Sequence, residues 1–358
     1  MTNILDYLKW RGDLSFQQDP FNAIDSLILS RAAYIRWELV FKNADEVLTL
    51  KKAYERFISQ DLSQVHMLMK EDPELFERMA TGRRFSQIYV SHFVNEVNDE
   101  MQFSAIVFHL DDKTNYVAFR GTDNTLVGWK EDMTMSFKDS VKSQRRSVHY
   151  LRTVSNIKGK LRIGGHSKGG NLAIYASLFV GQKIQKRILS IDNFDGPGLS
   201  QAVLDKKKNH PLFERVHLYV PQKSMIGRFL YLDNVKQSVI ESSAKGIYQH
   251  DLYSWHVEGN HFVLSSSFDK GSDLLDDVLK DFLKQADDSL REESVELIFE
   301  VLQSGNTETF HDLSSNLLKK TPTLLKAISN VDPEKRKSII ASFKILMQLF
   351  VNQMQEDD

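Results

Sequence analysis

The chain of 358 residues carries 46 Lys and Arg against 48 Asp and Glu, a formal net charge of -2, so it lacks the cationic surplus that general nucleic-acid binding requires. With 41% apolar and 26% charged residues it has a soluble globular balance, and its length allows one α/β core of roughly 200–250 residues plus an appended module. The absence of cysteine excludes disulfides, thiol catalysis and cysteine-ligated zinc.

Residues 1–82 read as a mostly helical lead-in. Ile4, Leu5 and Leu8, then Ile24, Leu27 and Ile28, recur at helical spacing, and Asp19-Pro20 supplies a cap and first turn; these helices are expected to cover one edge of a sheet. Asp6 and Lys9 make the first segment an amphipathic helix and not a signal peptide, and no apolar run is long enough for a membrane span. A cytoplasmic location is the resulting expectation. From Ser86 to Phe119 the pattern turns to β, with 103–108 and 116–119 joined as a hairpin across Asp111-Asp112. An amphipathic helix over 144–158 precedes the strand beginning at Leu161, and further strands fall at 187–191 and 216–220. Strands alternating with helices predict an α/β fold, a mainly parallel sheet flanked by helices.

The expected domain runs over 1–268, followed by a helical module over 269–358. In the latter, helices are expected over 272–286, 289–303, 310–318, 321–329 and 332–355, marked by a Ser289–Glu292 capping box and by Thr321-Pro322 and Asp332-Pro333 starts. Ile339, Ile340, Phe343, Leu346, Met347 and Phe350 form an apolar stripe that packs such a bundle on the core. The sharper alternative is that the stripe docks a protein partner or a second copy of the chain.

Residues 161–176 carry the chemistry: a short apolar strand, the turn Gly165-His166-Ser167-Lys168-Gly169, then a small-residue helix. A turn sharp enough to present a serine at a strand end strains the backbone there, and glycines two residues either side remove collisions with the neighbouring strand and helix. Ser167 is therefore the candidate nucleophile. The amide of Lys168, first in the helix, would face a developing oxyanion together with the positive end of the helix dipole. The Lys168 side chain either points into solvent or stands at the pocket mouth, favouring esters that carry a carboxylate or phosphate.

Upstream, 115–132 is a β-rich run ending in Phe119-Arg120-Gly121-Thr122, then a polar turn with Trp129 and Asp132. With the serine turn, this resembles the class 3 lipases of the α/β-hydrolase superfamily, and the resemblance implies that Thr122 donates a second oxyanion hydrogen bond. A buried Arg120 would need a carboxylate, for which Asp132 is the candidate, and Trp129 reads as a packing residue of the loop. The opening residues 3–10, the stretch Asp19-Pro20-Phe21-Asn22, the turn 192–198, and Ser243-Ala244-Lys245-Gly246 with Gln249-His250-Asp251 are together similar to the Mbeg1-like family, over about residues 1–265.

A serine nucleophile needs a base. Downstream of Ser167 stand His210, His217, His250, His256, His261 and His311. His217 lies within a strand and His210 in a polar turn. His250 follows the β-like 238–240 through a loop, where the last-strand histidine of an α/β-hydrolase falls and where the family resemblance has its motif, so it is the leading candidate ahead of His256 and His261. No histidine pair has metalloprotease spacing, so neither a metal nor any other cofactor is expected. For the acid, class 3 lipases use the position after the 216–220 strand, but here it reads Pro221-Gln222-Lys223-Ser224 without a carboxylate. Asp195, in Phe194-Asp195-Gly196-Pro197-Gly198, is the substitute, against the simpler reading that it caps that turn; Asp233 is the fallback. The expected activity is hydrolysis of a small-molecule or lipid ester or thioester through an acyl-enzyme. The alternatives are acyl transfer to an acceptor other than water, or a non-catalytic scaffold that binds a protein partner.

Overall fold

The computed structural model describes residues 2–266, apart from 64, 99, 124–130, 132, 133, 136, 137, 139, 225, 229, 231, 233 and 234. The helices expected over 272–355, and His311, lie outside the described residues. Asn3 and Asn22 start the first two helices, α1 (Ile4–Arg11) and α2 (Ala23–Ala32). Each side chain accepts the amides two and three residues on, while the asparagine's own amide donates to Asp6 at 3.1 Å or to Asp25 at 2.9 Å. Asp19-Pro20, expected to open the second helix, lies before it: the Asn22–Asp25 box satisfies the open amides, and Asp19 instead pairs with Arg11 at 3.4 Å.

The chain continues through β1 (Leu48–Thr49), α3 (Leu50–Ile58), α4 (Asp72–Thr81), β2 (Tyr89–Asn98), β3 (Met101–His109) and β4 (Asn115–Phe119). Then come α5 (Lys142–Thr153), β5 (Leu161–His166), α6 (Lys168–Phe179), α7 (Gln182–Gln185), β6 (Ile188–Phe194), α8 (Gln201–Lys207), β7 (Val216–Pro221) and β8 (Lys236–Ile240). A short antiparallel pair, β9 (Val257–Glu258) and β10 (His261–Phe262), closes the described region. The eight longer-range strands form one sheet in the order β1 to β8; the pairings from β1 to β4 are antiparallel and those from β4 to β8 parallel. The result is an α/β fold, a mostly parallel sheet with helices on both faces.

Strand alternation splits the core in two. Ile106, Phe108, Tyr116 and Ala118 join the N-terminal helices on one face, while Phe103, Ala105, Val107, Val117 and Phe119 join α5 and α6 on the other. The lead-in helices therefore cover a face of the sheet and not, as expected, an edge: α2 crosses β4, β5 and β6. That position buries its polar residues too, so each charge brings a partner. Arg84 grips Asp25 through two hydrogen bonds of 2.6 Å, and Arg31 holds Asp72 at 2.7 and 2.6 Å. The Tyr253 hydroxyl donates to Asp72 at 2.8 Å, tying the segment that follows His250 to α4. No helix among the described residues is long and apolar enough to cross a membrane.

Candidate active site

Ser167 stands between β5 and α6 at φ 58° and ψ -134°, a conformation that costs a non-glycine residue about 1–3 kcal/mol and persists only where its surroundings enforce it. The enforcement is visible at the glycines. A Cβ on Gly169 would lie 2.1 Å from the Phe119 carbonyl oxygen, so α6 can pack this close to the end of β4 only without a side chain there. The Ser167 amide donates to the Phe194 carbonyl at 3.0 Å, placing the serine beside the end of β6.

Arg120-Gly121-Thr122 runs directly past this turn. A Cβ on Gly121 would meet the Tyr34 hydroxyl at 2.2 Å, the His166 carbonyl oxygen at 2.4 Å and Ser167 Cβ at 2.9 Å. Gly121→Ala is expected to destabilise the fold by about 1–3 kcal/mol and to displace the serine, read as a lower denaturation midpoint together with lost activity. Arg120 is buried, donates to Asn95 Oδ1 at 3.1 Å and, among the described residues, leaves Nε without a partner; burial pushes its pKa down. Its expected partner Asp132, and Trp129, lie outside the described residues.

The Lys168 side chain does neither of the things expected of it. It is buried, and its Nζ pairs with Glu131 Oε2 at 3.1 Å; Glu131 also accepts the amides of Ser143 at 2.9 Å and Gln102 at 3.4 Å. A carboxylate at the start of α5 has an oriented lysine to neutralise, and that pairing outweighs the general preference of lysine for solvent. Lys168→Met leaves Glu131 uncompensated and is expected to cost about 3–5 kcal/mol in chemical denaturation, with the ratio of rates on neutral and anionic esters unchanged.

Asp195 follows β6 at φ 50° and is 1% exposed. Its Oδ2 accepts from His250 Nδ1 at 2.6 Å, while Oδ1 accepts from the Ser224 hydroxyl and from the Gly227 amide at 3.1 Å. The turn after it is closed by a different residue: Asn193 Oδ1 accepts the Gly196 amide at 2.7 Å and its Nδ2 donates to the Gly196 carbonyl at 3.1 Å. So Asp195 is not occupied as a turn cap. Ser224, three residues beyond the end of β7, supplies a hydroxyl that holds this carboxylate just past the end of β6.

His250 ends a short 3-10 turn, Gly246–His250. Gln249 anchors that turn, its Oε1 accepting the Lys223 amide at 2.8 Å and its carbonyl accepting Trp255 Nε1 at 2.8 Å. The His250 ring packs on that of His166 with centroids 4.3 Å apart. Among the described residues the Ser167 hydroxyl makes no hydrogen bond, to His250 or to any other group. Such contacts commonly tighten only when substrate binds. Of the other candidates, His256 Nδ1 lies 3.7 Å from Glu241 while its buried Nε2 has no partner among the described residues, His217 Nδ1 lies 3.5 Å from Asp192, His210 Nδ1 accepts the Leu212 amide at 3.2 Å, and His261 is exposed on β10. Asp233 lies outside the described residues.

His166, to which the serine motif assigns no role, is held at both ring nitrogens, by Tyr34 and by the His250 carbonyl. Burial, with His250 and Arg31 nearby, pushes its pKa well below the usual histidine range, so it stays neutral in the fold. The unfolded chain protonates it at about pH 6.5, so stability is lost as pH falls through that value, by up to about 1.4 kcal/mol per pH unit. Denaturation midpoints measured from about pH 7.5 down to 5 should fall, and His166→Gln should flatten the fall by close to one proton. His92 and His109, also held down by burial, keep part of the slope in the variant.

The model of the Mbeg1-like family matches residues 79–300, more than half of the chain. A crystal structure described as M37 lipase aligns at 16% identity with a TM-score of 0.34, over 57% of this chain and 67% of that one. No curated protein matches the sequence.

Proposed function

The chain belongs to the Mbeg1-like family, and from the residues gathered at the strand ends we propose that it is a serine hydrolase of lipase or esterase type, acting on a carboxylic ester or thioester. The observation that carries this reading is the pair formed by His250 Nδ1 and the buried Asp195 carboxylate at 2.6 Å, set beside a serine held at positive φ. Ser167 Oγ attacks the substrate carbonyl and its proton passes to His250 Nε2. Asp195 keeps Nδ1 protonated and stabilises the imidazolium. The amides of Thr122 and Lys168 hold the oxyanion, His250 returns the proton to the leaving alcohol or thiol, and water releases the acyl group by the reverse sequence.

A fluorophosphonate probe tests this directly, because only an activated serine reacts. The intact chain, labelled and mapped by peptide mass spectrometry, should carry one adduct, on Ser167; His250→Ala should lose it, while His256→Ala and His261→Ala keep most of it. No adduct on the native protein would return the chain to the scaffold reading, and the reverse ranking of the histidines would move the base.

A further inference from the structure

The serine turn contributes a second side chain to the site besides the nucleophile. His166 projects from the last position of β5 and spans two partners. Its Nδ1 lies 3.1 Å from the Tyr34 hydroxyl, and its Nε2 lies 2.9 Å from the backbone carbonyl oxygen of His250. These partners dictate the proton positions. A carbonyl oxygen only accepts, so Nε2 carries the hydrogen; Nδ1 of the neutral ring is then an acceptor, and Tyr34 donates to it. The ring also packs on the imidazole of His250 at 4.3 Å between centroids, inclined 35°. Tyr34 is itself fixed, with its amide bonded to the Arg31 carbonyl at 3.0 Å and the Arg31 guanidinium 4.5 Å from its ring centroid. Arg31 is locked by Asp72, which also receives Tyr253. The N-terminal lead-in thereby reaches the loop of His250 from two sides.

We propose that Tyr34 and His166 act as a positioning pair, holding the carbonyl and ring of His250 in the orientation from which its Nε2 takes the proton of Ser167 once substrate is bound. This rests on the reading of His250 as the general base. His250 sits on a short 3-10 turn and not on a strand or long helix, and its Nδ1 bond to Asp195 leaves the ring free to swing about that contact. The second hold, from His166, removes that freedom. Its cost is a buried imidazole that must remain neutral, and the Tyr34 hydroxyl selects the tautomer that keeps it bonded.

The test uses His166→Phe, His166→Gln, Tyr34→Phe and the Tyr34→Phe/His166→Phe double variant, each assayed for kcat, KM, rate of fluorophosphonate labelling and thermal midpoint. His166→Phe keeps the stacking and loses both hydrogen bonds, while the Tyr34 hydroxyl hydrogen turns to the His166 carbonyl oxygen, 3.3 Å away. It should lower kcat and labelling roughly tenfold to hundredfold with little change in KM, the effect of loosened alignment. His166→Gln places an amide donor at the reach of the imidazole Nε2 and should restore the rate to within about threefold of the native protein. Tyr34→Phe should fall by an intermediate factor and add nothing on the His166→Phe background, since both act through one hydrogen bond. An unchanged kcat in His166→Phe, or a His166→Gln variant as slow as His166→Phe at a native thermal midpoint, overturns the proposal. Should His166→Phe not fold, a Tyr34→Phe/His166→Gln double variant takes its place, and a loss there equal to the product of the two single losses overturns the proposal equally. His250→Ala separates the two readings: if it abolishes labelling while His166→Phe labels at the native rate, only the positioning pair fails, and if His250→Ala labels normally the base assignment fails and takes the pair with it.

Discussion

Ser167→Ala is expected to abolish fluorophosphonate labelling and to lower ester turnover by about a millionfold, leaving only what the oxyanion donors and substrate binding contribute. The substitution removes one oxygen that makes no hydrogen bond among the described residues, and alanine meets the positive φ at no greater cost than serine. The denaturation midpoint should therefore stay close to native, which separates lost chemistry from lost fold. The double variant Ser167→Ala/His250→Ala should be no slower than either single one, because nucleophile and base act as a unit. Turnover that survives in Ser167→Ala protein free of native enzyme would remove Ser167 from the chemistry, whatever the strain at its turn.

The serine turn was legible in the sequence because close approach leaves a mark on residue type. Where the Phe119 carbonyl oxygen comes within 2.1 Å of a would-be Cβ, only glycine is admitted, and the spacing of Gly165 and Gly169 about Ser167 records that contact. The hairpin across Asp111-Asp112 and the parallel strands were legible for a similar reason, since burial on two faces fixes an alternating or continuous apolar pattern. Partnership left no such mark. Lys168 reads as a solvent-seeking charge until Glu131, 37 residues earlier in the chain, is folded against it. Asp195 reads equally well as a turn cap, and what decides its freedom is the side chain of Asn193, two residues away, which closes the turn instead. The lead-in helices showed their period but not their location; periodicity says that one side of α2 is apolar, whereas its place across β4, β5 and β6 buries nearly all of it. Tyr34 carried no signal, because a tyrosine just beyond an apolar helix is ordinary until His166 arrives beside its hydroxyl.

Asp195→Asn is expected to lower kcat/KM by about ten-thousandfold while leaving stability near native. The argument follows from which groups face each oxygen. Oδ1 accepts from the Ser224 hydroxyl and from the Gly227 amide, and the amide can only donate, so an asparagine places its carbonyl oxygen there and turns its amino group toward His250. His250 Nδ1 then meets a donor and becomes the acceptor, which moves the ring hydrogen to Nε2. A base protonated at Nε2 cannot take the proton of Ser167, although every heavy atom stands where it did. Labelling should slow with turnover, KM should change little, and the loss should ease as pH is raised, where hydroxide can substitute for the missing base. Ser224→Ala makes a graded comparison, since it removes one of two donors to Oδ1 without changing the tautomer, and should slow turnover far less. Native turnover in Asp195→Asn would mean that the 2.6 Å contact with His250 only fastens the loop to the sheet. It would leave Ser167 with a base oriented by His166 alone.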